Sequence, residues 1–254
     1  MPLYITVLAY IFIFAFGTVT GSFLNVVIYR VPKGEDIVVT PSHCQKCGYR
    51  LRWFDLIPLW SYVFLGGKCR KCGEIISPQY PVVEAVNGLF YVITFLIKGA
   101  SVESLLYCLL FSALLSLSVI DARTREIPFG INVFIFVLGL VHLGLNYRDF
   151  LNYIIGAACV SGFLLILFYA SKGRAIGGGD IKLMCAAGLM LGWKEIILSF
   201  SLACVIGSVV HITRIKVSKA DHVLAMGPYL SVGIYITVLF GSPLIEWYLG
   251  LLGL

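Results

Sequence analysis

The feature that most limits what this chain can fold into is a succession of apolar runs near bilayer-spanning length. They cover residues 4–29, 81–97, 101–120, 129–146, 150–170, 182–193, 195–213 and 228–249. A helix needs about 20 mostly apolar residues to cross the hydrocarbon core. The rest of the chain agrees with a bilayer as solvent. Only 13% of residues are charged, against about 25% in soluble domains, and the mean hydropathy is +0.95. A soluble protein this apolar would lack the polar surface to stay dissolved. The expectation is an all-α polytopic membrane protein of about eight transmembrane helices, with the lipid bilayer as its first partner. The run 182–193 is short for an ordinary span, and a broken or re-entrant segment is the alternative there.

Lysine and arginine orient the bundle, because they accumulate in cytoplasmic loops. With residues 30–80 cytoplasmic, sixteen of the nineteen basic residues fall inside, and only Lys98, Arg148 and Lys194 fall outside. Without the short span, Arg214, Lys216 and Lys219 would also lie outside, so the span is retained. Both termini then face away from the cytoplasm. The first apolar stretch is too long for a signal-peptide core and lacks a basic start, so it reads as a span and not as a cleavable signal. The net charge of +6 follows from topology and gives no indication of nucleic-acid binding. Residues 1–254 read as a single membrane-embedded domain. One soluble excursion, 30–80, is inserted between the first and second spans. No low-complexity segment or internal repeat is apparent.

That excursion holds Cys44-Gln-Lys-Cys47 and, after twenty-one intervening residues, Cys69-Arg-Lys-Cys72. Two such pairs at this separation are the pattern of a tetrahedral zinc site. Gly48 and Gly73 follow the two knuckles, where backbone amides can approach sulfur. Lys46, Lys68, Arg70 and Lys71 would offset the double negative charge of zinc with four thiolates. Four protein ligands close the coordination sphere, so the metal reads as structural. A disulfide pair is the alternative, disfavoured by a reducing cytoplasm. About fifty residues bury too little surface to fold well alone, and zinc can supply on the order of 10 kcal/mol of folding free energy. Trp53, Phe54, Trp60, Tyr62 and Phe64 either pack over the knuckles or lie against the bilayer interface. Cys108, Cys159, Cys185 and Cys204 lie within spans and read as small packing residues.

Two acids stand out at the ends of apolar runs. Asp121 closes Leu115-Ser-Leu-Ser-Val-Ile-Asp, and Asp180 closes Ile176-Gly-Gly-Gly-Asp. The topology puts both at the cytoplasmic edge, so they can meet although far apart in sequence. The simpler reading of Asp180 is the N-cap of the next helix, and that of Asp121 a surface acid paired with Arg123 or Arg125. An acid at a helix C-terminus opposes the helix dipole, however, and ionisable groups at membrane depth point to function. Together they suggest an aspartic peptidase dyad, two carboxylates sharing one proton. One activates water while the other polarises the scissile carbonyl. The glycines before Asp180 leave room for an extended substrate backbone, or form a flexible hinge.

The order of these features resembles the bacterial type IV prepilin peptidases, also called prepilin leader peptidases/N-methyltransferases. Gly21-Ser-Phe-Leu-Asn25-Val-Val-Ile-Tyr-Arg30-Val-Pro32 resembles the family's opening signature. Both C-x-x-C pairs follow, then Ile76-Ser-Pro-Gln-Tyr-Pro-Val-Val-Glu84. Asp121 with Ile127-Pro128 matches the first catalytic motif, and Gly177, Gly179 and Asp180 match G-x-G-D. A late Gly227-Pro228-Tyr229 also fits. Phe129 departs from the polar residue members often carry after Ile-Pro.

The resemblance implies an eight-span bundle in the bacterial inner membrane with its active site on the cytoplasmic side. It implies cleavage of a short basic leader from type IV prepilins or pseudopilins, usually between glycine and phenylalanine, with Asp121 and Asp180 catalytic. It also implies methylation of the new amino terminus from S-adenosylmethionine, to which Gly67 and Lys68 are tied by position. No glycine-rich nucleotide fingerprint supports the transfer independently. A presenilin-like peptidase would pair G-x-G-D with a Tyr-Asp dipeptide, which this chain lacks. A proton-coupled transporter would place its acids mid-span and not at one edge. Glu84 reads either as a helix-end cap or as a contact for the basic leader.

Overall fold

The computed structural model describes residues 3–174, 176–218 and 225–253. Among them the secondary structure is helical, with only two isolated β-bridges. The chain divides into two compact units, Met1–Ser104 and Leu105–Leu254.

The first unit contains α1 (Leu3–Arg30), the short α2 (Trp60–Phe64) and α3 (Gln79–Lys98). In lipid the apolar surfaces of two helices gain little by meeting, so close backbone approach and interhelical hydrogen bonds must hold them. α1 and α3 use both. A Cβ on Gly17 would lie 2.8 Å from the Gly88 Cα, and one on Gly21 would lie 2.8 Å from the Glu84 Cα. Gly17 and Gly21 thus form a G-x-x-x-G seam, which the span-level reading passed over. Asn87, fully buried, donates to the Gly17 carbonyl at 2.7 Å, and Asn25 donates to the Tyr80 carbonyl at 3.1 Å. α1 stops at Arg30 because Pro32 follows, removing a backbone donor. The buried Arg30 guanidinium then donates to the carbonyls of Asp36, Thr40 and Pro41, which folds the chain back as it leaves the helix.

The second unit is built from α4 (Val102–Thr124, whose first turn precedes the boundary), α5 (Phe129–Leu145), α6 (Phe150–Ala170), α7 (Gly178–Leu191), α8 (Trp193–Ser218) and α9 (Gly227–Leu251). α7 is its centre: Leu183, Met184 and all of Ala186–Leu191 are buried. Small residues again set the approach. A Cβ on Gly156 of α6 would lie 2.6 Å from the Gly192 carbonyl carbon, and one on Gly139 of α5 would lie 2.7 Å from the Leu189 Cβ.

Among the described residues, six helices are long and apolar enough to cross a membrane: α1, α3, α4, α6, α8 and α9. The two remaining runs also form helices, α5 with 17 residues and α7 with 14. At 1.5 Å per residue α7 is about 21 Å long, short of a hydrocarbon core of about 30 Å. The boundaries shift in informative ways. α4 continues past Ile120 to Thr124, and α7 begins at Gly178 where residue 182 was expected, so Asp180 lies inside its first turn. α8 extends to Ser218, while Lys219 lies outside the described residues.

Candidate functional site

Asp121 sits in the last turn of α4. The helix stops before Arg125, whose φ of 58° is left-handed and whose N–H donates to the Asp121 carbonyl at 2.8 Å. The Asp121 side chain is only 4% exposed, which rules out a surface acid. Its carboxylate accepts the backbone N–H of Gly227 at 2.8 Å. Gly227 is the first residue of α9, so the N-terminal end of that helix faces the carboxylate and favours its charge. The dipole of α4, which opposes an acid at this place, is thereby offset by α9. A Cβ on Gly227 would stand 2.7 Å from Asp121 Oδ2 and 3.0 Å from Leu117 Cδ2, so only glycine fits.

Asp180 is the third residue of α7, and Gly177 is the N-cap. The alternative reading of Asp180 as the N-cap therefore does not hold. A side chain at the third position reaches back to the N-cap amide, as in half of a capping box. The Asp180 carboxyl folds back over Gly177 in this way. A Cβ on Gly177 would stand 3.1 Å from Asp180 Oδ2. The G-x-G-D glycines thus belong to a helix start, not to a free hinge. Gly179 lies against Ile127, whose Cβ would be 2.9 Å from an added Gly179 Cβ. Its carbonyl accepts from the buried Asn132 of α5 at 3.3 Å. The Ile127-Pro128 step therefore packs directly on the G-x-G-D turn, with Pro128 as the N-cap of α5.

These contacts bring the ends of α4, α5, α7 and α9 together, with the Asp121 and Asp180 carboxyls among them. Beside them, an apolar cleft of about 560 Å³ opens between α5, α6 and α7. Phe129, Asn132, Phe136, Leu165, Ile181 and Lys182 are among its lining residues. Lys182 lies over the Phe129 ring, 5.0 Å from its centroid, so the residue that departs from the family pattern carries a cation at the cleft mouth.

The four loop cysteines also converge. The Sγ atoms of Cys44, Cys47, Cys69 and Cys72 lie within 4.8 Å of one another, and Cys44 and Cys72 are 3.8 Å apart. Four sulfurs about 2.3 Å from one zinc stand about 3.8 Å apart at the corners of a tetrahedron, so the group fits such an ion. All four cysteines are free thiols. The knuckles match bond for bond, a local repetition not recognised in the sequence. Gly48 donates to the Cys44 carbonyl and Gly73 to the Cys69 carbonyl, both at 2.9 Å. Cys44 N–H meets the Tyr49 carbonyl, and Cys69 N–H that of Glu74. The amides of Cys47 and Lys46 pull the Cys44 thiol down to about 6, favouring thiolate. Of the four cations expected to offset the thiolate charge, Lys46 pairs with Glu74 and Arg70 with the buried Asp55.

Gly67 is buried with a φ of 69°, and a Cβ there would stand 3.0 Å from the Tyr62 hydroxyl. Lys68 is exposed. Glu84 is not a helix-end cap. It is buried on α3 and accepts the Leu59 N–H at 2.8 Å.

Comparison with known proteins bears on the whole chain. Residues 15–97 match the bacterial peptidase A24 N-terminal domain, and residues 108–212 match the type IV leader peptidase family. A Pseudomonas putida protein named prepilin leader peptidase/N-methyltransferase is 32% identical over 93% of this chain and 92% of its own length. The chain belongs to the type IV leader peptidase family. Proteins of the same name from Klebsiella pneumoniae and Pseudomonas aeruginosa are 35% and 30% identical. The first covers 73% of this chain and 86% of its own length; the second covers 93% and 92%. No solved structure matches.

The N-terminal match holds the four cysteines and the second match holds both aspartates. Gly227 lies beyond both matched segments, and sequence reasoning assigned it no role beyond a motif fit. Its signal was the Gly-Pro step at a helix start: proline suits the first turn, while the glycine marks a place where something approaches too closely for a Cβ.

Proposed function

We propose that this chain is an inner-membrane aspartic endopeptidase that removes the leader of type IV prepilins or pseudopilins between glycine and phenylalanine. In the same reading it methylates the new amino terminus from S-adenosylmethionine. The observation that carries the proposal is the gathering of the helix ends that bear Asp121 and Asp180, with the Asp121 carboxylate held by the Gly227 amide and the G-x-G-D turn packed on Ile127 and bonded by Asn132. Family membership and the relatives' names support the substrate class and the second activity. Eight crossings, with α5 and α7 included, would put both aspartates and residues 30–80 on the cytoplasmic side.

In this mechanism the pair shares a proton and titrates as a unit. The ionised carboxylate takes a proton from water as its oxygen attacks the scissile carbonyl carbon. The protonated carboxyl donates to the carbonyl oxygen. Collapse of the tetrahedral intermediate breaks the C–N bond, and a proton passes to the leaving amine. The Gly227 amide keeps Asp121 in place and the Asp180 carboxyl rests against Gly177, so little reorganisation is needed as charge moves. The cleft beginning beside Asn132 suits the apolar part of a membrane-borne substrate.

Cys44, Cys47, Cys69 and Cys72 would hold a structural zinc that fastens the loop and takes no part in bond cleavage. For methylation, the left-handed, ring-covered Gly67 supports a part in shaping the loop, and exposed Lys68 supports direct contact with donor or substrate. Mass spectrometry of a pilin co-expressed with this protein tests both activities. The expected product lacks the leader and carries one extra methyl group. An uncleaved pilin would sink the peptidase reading, and a cleaved but unmethylated one would sink the transferase reading.

A further inference from the structure

Residues 53–64 of the loop carry a set of aromatic and aliphatic side chains that neither zinc binding nor cleavage uses. Trp53 is 77% exposed, Trp60 64%, Val63 70% and Phe64 80%. They do not pack over the cysteine knuckles. Phe54, beneath the Arg70 guanidinium, and Tyr62, against Gly67, are the aromatic residues here that are partly covered. Trp60, Val63 and Phe64 stand at i, i+3 and i+4 of α2, the spacing that puts side chains on one helix face. The Trp60 and Phe64 rings stack with centroids 6.0 Å apart. A small subdomain stabilised mainly by metal would not expose such a face to water without an occupant.

The position of α2 relative to α3 identifies the occupant. Leu59, immediately before α2, has a left-handed φ of 62° and donates its N–H to Glu84. Glu84 lies five residues inside α3, about 7.5 Å along the helix from its start. It is buried against α1, where Gly21 approaches its Cα. The pin therefore holds the start of α2 at a depth where α3 has already entered its apolar run. At that depth the environment is the boundary between headgroups and acyl chains, where tryptophan is favoured and amphipathic segments lie in the membrane plane. Arg52, Lys68 and Lys71 are exposed nearby in the chain and complement lipid phosphates.

We propose that α2 is an interfacial anchor. Its Trp60, Val63 and Phe64 face sits in the leaflet from which the loop emerges, and the Glu84–Leu59 bond holds it at that depth. The loop would then be a membrane-seated subdomain. This inference is independent of the peptidase reading, since it concerns where the loop rests and not what it does.

The test uses the full chain with Trp53→Phe, Trp193→Phe and Trp247→Phe, leaving Trp60 as the sole tryptophan. The protein is reconstituted in mixed phosphatidylcholine and phosphatidylglycerol vesicles. Lipids brominated on the upper acyl carbons should quench Trp60 about twofold or more, as for a ring at the acyl boundary, with blue-shifted emission and little quenching by aqueous iodide. Glu84→Ala should shift Trp60 toward iodide accessibility. Glu84→Gln, which keeps an acceptor for the Leu59 N–H, should not. Trp60 emission that is red-shifted and iodide-quenched in the parent protein overturns the proposal. Shielding from both quenchers also overturns it, because the face would then be covered by protein. Binding of zinc by each variant confirms that the loop is folded when the emission is read.

Discussion

Replacing Gly227 by alanine tests the geometry of the aspartate site most sharply, because it touches a carboxylate without changing any acid. The new Cβ would stand 2.7 Å from Asp121 Oδ2 and 3.0 Å from Leu117 Cδ2, where ordinary contact begins near 3.4 Å. The carboxylate must retreat by roughly 0.7 Å, which stretches the 2.8 Å bond from the Gly227 amide toward 3.5 Å, beyond useful hydrogen-bond range. A hydrogen bond to a charged group is worth about 1.5–3 kcal/mol. If that difference is felt in the transition state, cleavage slows by about 10- to 150-fold, at about 1.4 kcal/mol per decade. The assay is the initial rate of leader removal from a purified pilin precursor in proteoliposomes. Gly250→Ala, on the same helix, serves as the control, since nothing lies within 4 Å of its added Cβ; it should cleave normally. Methylation of a pre-cleaved pilin by Gly227→Ala reports whether the variant is folded. A Gly227→Ala protein that cleaves within twofold of wild type would refute the claim that α9 positions Asp121.

Asp121→Asn and Asp180→Asn should each abolish cleavage while the protein still inserts in the membrane; near-normal cleavage by either removes that residue from the mechanism. Purified protein should contain about one zinc per chain, and Cys44→Ser with Cys47→Ser should remove it, as read by elemental analysis. Lys68→Ala should lower methylation far more than cleavage, measured by mass spectrometry of the product. Gly67→Val should lower it too, through strain at a φ of 69° and collision with Tyr62, with accompanying loss of zinc. Asp180→Asn given a pre-cleaved pilin should still methylate it, and failure to do so would show that the two activities share a site.

Periodic and short-range signals account for what could be read before any coordinates. Eight apolar runs became eight helices because, in lipid, a helix satisfies its backbone within one segment, so length and apolarity suffice to find it. The C-x-x-C pairs were legible because each knuckle closes within five residues, from Cys44 to Gly48 and from Cys69 to Gly73. The motif aspartates were legible for a different reason: acids at the ends of apolar runs are too costly to be incidental. Element edges were less legible. α7 begins four residues before its apolar run because Gly178, Gly179 and Asp180 are polar or small yet helical, and hydropathy does not register a first turn.

The amino-acid sequence by itself determined the class of solvent, the number of apolar helices, the four thiolates and the two acids, because each of these is written in local composition or spacing. Tertiary structure alone decided what those residues meet. The Gly227 amide reaches Asp121 across 106 positions, and Asn132 reaches Gly179 across 47. Leu59 finds Glu84 across 25. Each contact is a single backbone group meeting a single side chain, with no periodicity to announce it. They form only because helix pairs pack closely enough, through residues such as Gly17, Gly21, Gly156 and Gly188, to bring distant chain ends within a few ångströms. Packing of that kind is a property of two surfaces at once, and neither segment carries it alone.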